Sequence, residues 1–136
     1  MTSGWTQFLE KKVLDQVFGN QTPPAFTTLY LGLCTGGCTD AGVVTGEPSS
    51  NNYARVAVTN NNTNFPDCTS DGSKSNAVAI VFNEASGSWG TIATYVWFDQ
   101  LTGGNALVWA DLTTPKAIGA GDTPKFNIAD MTLTLE

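Results

Sequence analysis

Histidine is absent from this chain. With it go the commonest general base, the commonest metal ligand and the usual partner of a nucleophilic serine or cysteine. Charge is scarce as well: 13% of residues are charged, and six Lys and Arg against twelve Asp and Glu leave a formal charge of −6. Six scattered cations cannot build the phosphate-neutralising patch that nucleic-acid binding requires, so nucleic acid is excluded as a partner. No apolar run approaches a membrane span. The opening MTSGWTQFLEKK lacks the basic-then-apolar order of a signal peptide, which predicts a protein made in the cytoplasm and not exported by the general secretory route. Cysteine is limited to Cys34, Cys38 and Cys68. An odd count in a reducing compartment makes free thiols the default, with a Cys34–Cys38 bridge as the alternative. Three cysteines without histidine form an incomplete zinc set, so neither metal nor cofactor is expected.

What the chain has instead is glycine, threonine, serine and asparagine, a neutral polar exterior suited to a β-rich extracellular or virion protein. Its 136 residues predict a single domain, 1–136. Surface scaling gives roughly 6,800 Å² folded against roughly 21,000 Å² extended, so a core without metal or disulfide support is feasible.

The segment from Gly87 to Asp122 carries the strongest structural signal. Two strand-forming runs, Thr91 to Phe98 and Asn105 to Leu112, flank a loop ending in Gly103-Gly104, which predicts a β-hairpin. Both of its faces are apolar, whereas a sheet over one core should show water a polar face. With Trp97 opposite Leu107 and Tyr95 opposite Trp109, the aromatic side chains gather on one face and the small aliphatic ones on the other. The aromatic face then needs a cover. Trp5 and Phe8 of the N-terminal segment, or a neighbouring subunit, would supply it, and Trp5, Phe8, Tyr95, Trp97, Leu107 and Trp109 are the candidate protein-interface residues.

Elsewhere, Trp5, Leu9, Val13 and Val17 recur at a spacing of four and predict one amphipathic helix over Ser3 to Phe18, within an N-terminal unit 1–19. Ser3 is its expected N-cap and Gly19 its C′ residue, and simple packing onto the body is favoured over a membrane or partner helix. A turn at Pro23-Pro24 precedes a strand over Thr27 to Leu33, with Leu29, Leu31 and Leu33 on one face. Residues 34–52 read as a long surface loop and a candidate contact arm. Strands are expected at Tyr53 to Thr59, Ala77 to Phe82, Lys116 to Ile118, Lys125 to Ile128 and Met131 to Leu135, with Phe65 anchoring the polar stretch Asn60 to Asn76. The predicted fold is mainly β: an antiparallel sandwich of jelly-roll or Greek-key type with one N-terminal helix, a small closed barrel being the alternative.

Chemistry finds little support. Asp99, Asp111 and Glu84 lie near strand ends but nothing pairs them for glycoside hydrolysis. Asp67 and Asp71 lack the ordered ligand positions of a calcium loop. The pieces Thr35-Gly36-Gly37 and Gly119-Ala120-Gly121 lack the lysine and helix of a phosphate-binding loop and read as turns. Tyr95, Trp97, Trp109, Asp111 and Asn105 could hold a saccharide if the aromatic face lay open.

Taken in order, FLEKKVLDQVFG, TLYLGL, YARVAVT, GSWGT and the TGGN, LTTPK, GDTP succession resemble a family of small virion proteins of tailed bacteriophages, often labelled tail-fibre or minor structural proteins. The resemblance spans nearly the whole chain, apart from the region around Cys34 and Cys38. It implies a non-enzymatic structural component of the virion with no catalytic residues. A small domain with a second apolar face and an acidic exterior suggests a capsid decoration or cement protein, expected as a homotrimer that staples the major capsid protein through repeated contacts. A tail-tip or tail-fibre domain touching host glycans is the alternative within the virion, and a carbohydrate-binding module the alternative outside it.

Overall fold

The computed structural model describes residues 3–22, 25–68 and 72–134. Ten elements follow in chain order: β1 (Ser3–Trp5), α1 (Gln7–Val17), β2 (Thr28–Cys34), β3 (Val56–Thr59), β4 (Ser73–Ser75), β5 (Ile80–Val81), β6 (Gly90–Phe98), β7 (Ala106–Ile118), β8 (Lys125–Phe126) and β9 (Thr132–Thr134). Five strands form one antiparallel sheet in the order β1-β7-β6-β2-β3, and β4–β9 and β5–β8 form two short ribbons. The architecture is therefore mainly β, antiparallel and equipped with one helix, as the sequence predicts. Ile80 and Phe126, paired across the β5–β8 ribbon, pack into the same core as residues of the large sheet.

Alternation along β2 sends Leu31 and Leu33 to the face they share with their cross-strand partners Trp97 and Tyr95. Against that face lie Ile80, Phe82, Trp89 and Met131, forming the main core. Phe65 joins it edge-on to Trp97, with ring centroids 5.7 Å apart, and so anchors its polar loop as predicted. On the other face of the sheet Cys34, Val96, Phe98, Ala106 and Trp109 form a second, smaller cluster.

The hairpin forms, but its register differs from the expected one. Phe98 faces Ala106, as an even register requires; then Trp97 faces Val108, Val96 faces Trp109 and Tyr95 faces Ala110, with a β-bulge in between. Leu107 is the extra residue, and its carbonyl accepts the Thr6 N–H at 2.9 Å. The bulge moves Trp109 to the face opposite Tyr95 and Trp97, so the single aromatic face does not exist. A second irregularity sets Ile92 opposite Lys116 and Thr94 opposite Asp111, leaving Leu112 to Pro115 across from Ala93 alone. The expected separate strand over Lys116 to Ile118 is the continuation of β7 beyond it.

At the N-terminus Thr6, not Ser3, caps the helix. The buried Thr6 Oγ1 accepts from Leu9 N–H at 3.5 Å and donates to Ala106 O at 2.7 Å, while Ser3–Trp5 pairs with Val108 to Ala110 as an edge strand. The backbone of the sheet edge thus claims three residues that helical periodicity alone assigned to α1. After the helix the left-handed residue is Asn20 (φ 52°) in place of Gly19. Packing of α1 also departs from expectation: no helical residue is buried, and Leu14, Val17 and Phe18 are 56%, 63% and 79% exposed. The accessible surface of 7679 Å² exceeds the scaling value by roughly 900 Å².

Several strands are shorter than predicted, since only Val56–Thr59, Ile80–Val81, Lys125–Phe126 and Thr132–Thr134 pair. The strand Ser73–Ser75 inside the polar stretch has no apolar alternation to reveal it. The expected Pro23-Pro24 turn, Asp71 and Leu135 lie outside the described residues.

Candidate functional site

Of the six candidate interface residues, Tyr95, Trp97, Leu107 and Trp109 are buried within the protomer, and Trp5 and Phe8 are half-buried. Tyr95 and Trp97 belong to the main core and Trp109 to the second cluster, so the structure does not bring the three rings together. A saccharide platform of Tyr95, Trp97 and Trp109 is thereby removed. Burial pushes the Tyr95 hydroxyl above its usual range. The indole N–H groups of Trp97 and Trp109 find no acceptor among the described residues, a cost of about 1–3 kcal/mol each that the surrounding apolar contacts must offset.

The cover for the second face comes from the chain itself. Residues 34–46 double back: Gly36 N–H donates to Thr45 O (2.9 Å), Thr45 N–H to Gly37 O (3.0 Å), and Cys38 bridges Val44. Cys38 and Val44 pack on the Cys34, Val96 and Phe98 cluster. The segment predicted as a free contact arm is, over this part, a lid on its own sheet. All three cysteines are free thiols. Burial raises Cys34, and burial followed by the neighbouring Cys34 raises Cys38 to about 11.

Below the lid sits a charged knot. Arg55 Nε and Nη2 donate to the two oxygens of Glu47 at 2.8 and 2.7 Å, and Arg55 Nη1 reaches Gln100 O and Gly103 O, both at 2.8 Å. The guanidinium lies 3.4 Å over the Phe98 ring. Tyr53 Oη donates to Glu47 Oε2 at 2.7 Å and accepts from Leu33 N–H at 2.9 Å. Gly32 is what admits this group, because a Cβ there would come within 2.9 Å of Glu47 and 2.8 Å of Phe98.

Of the three carboxylates weighed for catalysis, Glu84 is exposed at the surface and the other two are held by the scaffold. Asp99 accepts from Asn105 N–H and Nδ2 at 2.7 and 2.9 Å, and Asp111 accepts from Thr94 Oγ1 at 2.7 Å. Among the described residues no three His, Cys, Asp or Glu side chains converge as a metal site would require.

Three of the open surfaces among the described residues present apolar side chains. One is the end of α1, with Leu14, Val17 and Phe18. Beside its first turn an apolar pocket of about 250 Å³ is lined by Trp5, Leu9, Phe26, Leu107 and Leu133 among others. The third is a cleft of about 490 Å³ between the irregular part of β7 and the turn before β8. Sequence reasoning assigned the stripe that ends in Val17 to packing because periodicity shows that a stripe exists without showing what it faces.

Residues 4–134 match the family described as podophage GP4 fiber I protein gp80. The chain belongs to this family. It is a structural family of tailed-phage virions, labelled as a fibre. Curated proteins supply no match. Membership in the gp80 family agrees with the resemblance carried by YARVAVT and GSWGT.

Proposed function

We propose that the protein is a non-enzymatic subunit of the fibre apparatus of a short-tailed phage, joining like copies into a closed assembly in the virion. The family match over 4–134 supports the fibre setting. The observation that carries the self-association is the bare apolar end of α1.

That end has a complement on the same molecule in the pocket beside the first turn of the helix. Phe18 lies nine residues along the chain from Leu9, roughly 13 Å at helical rise, so it cannot fill the pocket of its own chain without unwinding α1. Placed in the pocket of a neighbour, it makes a head-to-tail contact, which closes into a ring when the rotation allows. A trimer of like copies is the expected order. Apolar rings entering an apolar pocket give the association its free energy, while the acidic exterior keeps separate assemblies apart.

Capsid decoration, with the major capsid protein as partner, is the second reading. It is favoured by a body built on one short sheet, with no extended shaft among the described residues. Quantitative mass spectrometry of purified virions separates the two. A copy number matching a ring at the tail supports the fibre subunit, and one matching the shell protein overturns it in favour of decoration.

A further inference from the structure

We infer that the cleft between β7 and β8 is a binding site for an anionic saccharide, with Lys116 and Lys125 as the residues that recognise its charge. The cleft is lined by Leu33, Ile92, Ile118 and Phe126 as an apolar floor, by Thr114 and Thr123, and by the two lysines. Its volume of about 490 Å³ lies within the roughly 300–1,000 Å³ of ordinary ligand pockets.

The cleft exists because β7 departs from regular pairing. Four residues, Leu112 to Pro115, stand opposite Ala93, and the ladder resumes with Lys116 across from Ile92. Directly paired residues share a face of a sheet, so Lys116 projects on the side of the buried Ile92, where alternation would call for an apolar residue. Lys125 reaches the same space from β8.

These are cations left without a partner in an acidic chain. Arg55 is held by Glu47, Lys74 donates to Phe65 O and Lys12 lies over the Phe8 ring, whereas the side chains of Lys116 and Lys125, like that of Lys11 on the helix, make no hydrogen bond or ion pair among the described residues; of these three, two line one cleft. Asp122, the carboxylate in the lining, accepts from Gly119 N–H at 2.8 Å and is committed to its turn. Two ammonium groups suit a carboxylate or phosphate, threonine hydroxyls suit sugar hydroxyls, and the apolar floor with Phe126 suits the C–H face of a pyranose. The saccharide class rests on the fibre reading, since a subunit displayed at the tail meets the polysaccharides of a cell surface.

The test is an amide NMR titration of the full chain with glucuronic acid, glucose 6-phosphate and glucose. Both charged sugars are expected to shift the amides of Thr114, Lys116, Thr123 and Lys125, and glucose to leave them in place at equal concentration. The tighter of the two identifies a uronic-acid or a phosphorylated polysaccharide as the source. In the K116Q/K125Q variant affinity should fall roughly tenfold or more, and in the parent it should weaken as salt rises. Both side chains are exposed, so the variant keeps its fold.

Silence of the cleft amides toward both charged sugars overturns the site. So does an equal response to glucose, tighter capture of an Asp/Glu-rich peptide, or a double variant that aggregates while binding sugar unchanged, which would make the lysines guards of an exposed strand edge. The titration uses isolated protein, and its result is independent of the virion copy number, so the site and the fibre reading can fail separately.

Discussion

Arg55 shows how much one side chain holds. Its guanidinium joins the loop after β2 through Glu47, the hairpin turn through Gln100 O and Gly103 O, and the second cluster through Phe98. With the two side chains only 7% and 23% exposed, the pair is shielded from solvent, and removing one charge strands the other. Glu47→Gln is expected to lower unfolding stability by about 3 kcal/mol in urea titrations, and an unchanged midpoint would show the pair to be surface-like. Buried protons set the response to pH. Burial holds Tyr53 far above its ordinary value of 10.0 and Cys38 at about 11 against 9.0. Above pH 9 the unfolded chain releases protons that the folded chain keeps, so unfolding is favoured as pH rises. The urea midpoint should hold between pH 7 and 9 and fall between 9 and 11, with Tyr53 and Tyr95 adding to the loss above 10.

The hairpin turn is decided by two glycines that are not equivalent. Gly103 (φ 63°) and Gly104 (φ 71°) both occupy left-handed backbone, so alanine at either is strained by about 1–2 kcal/mol. A Cβ at Gly103 meets open space, whereas one at Gly104 collides with Asp99 and Gln100. Asp99 is the residue that closes the turn by accepting from Asn105. Gly104→Ala should therefore cost more than Gly103→Ala, by about 1 kcal/mol or more in thermal unfolding. Equal costs would mean that the Asp99 clasp contributes nothing.

Across the whole molecule, the unburied end of α1 separates association from folding. Leu14, Val17 and Phe18 contribute little to the protomer, so replacing Val17 and Phe18 with serine should change its stability by less than about 0.5 kcal/mol. The same variant should shift light-scattering mass toward the monomer. A variant that keeps the parent's mass would place the contact elsewhere. Leu31→Ala is the contrasting case: it deletes a buried core side chain away from the pocket and should cost about 2–5 kcal/mol whatever the oligomeric state.

Some of this was legible in the residues alone. The missing histidine limits the chemistry, the leucines of TLYLGL place one face of β2 in the core, the two glycines close the hairpin, and Phe65 pins a polar loop. These are local facts: parity along a strand, backbone freedom at a turn and one ring in a polar run. The register of β6 against β7, the cap at Thr6 and the folding of residues 34–46 onto the sheet were decided by tertiary structure. Both faces of the hairpin are apolar, so a slip of one residue exchanges one apolar set for another, and the pattern carries no preference between them. Thr6 breaks the tie from a hundred residues away, taking Ala106 O and Leu107 O at the bulge. The open cleft follows from the same strand: Pro115, with no N–H to give the ladder, marks the break in the sequence, while the placing of Leu112 to Pro115 across from Ala93 alone depends on the neighbouring strand.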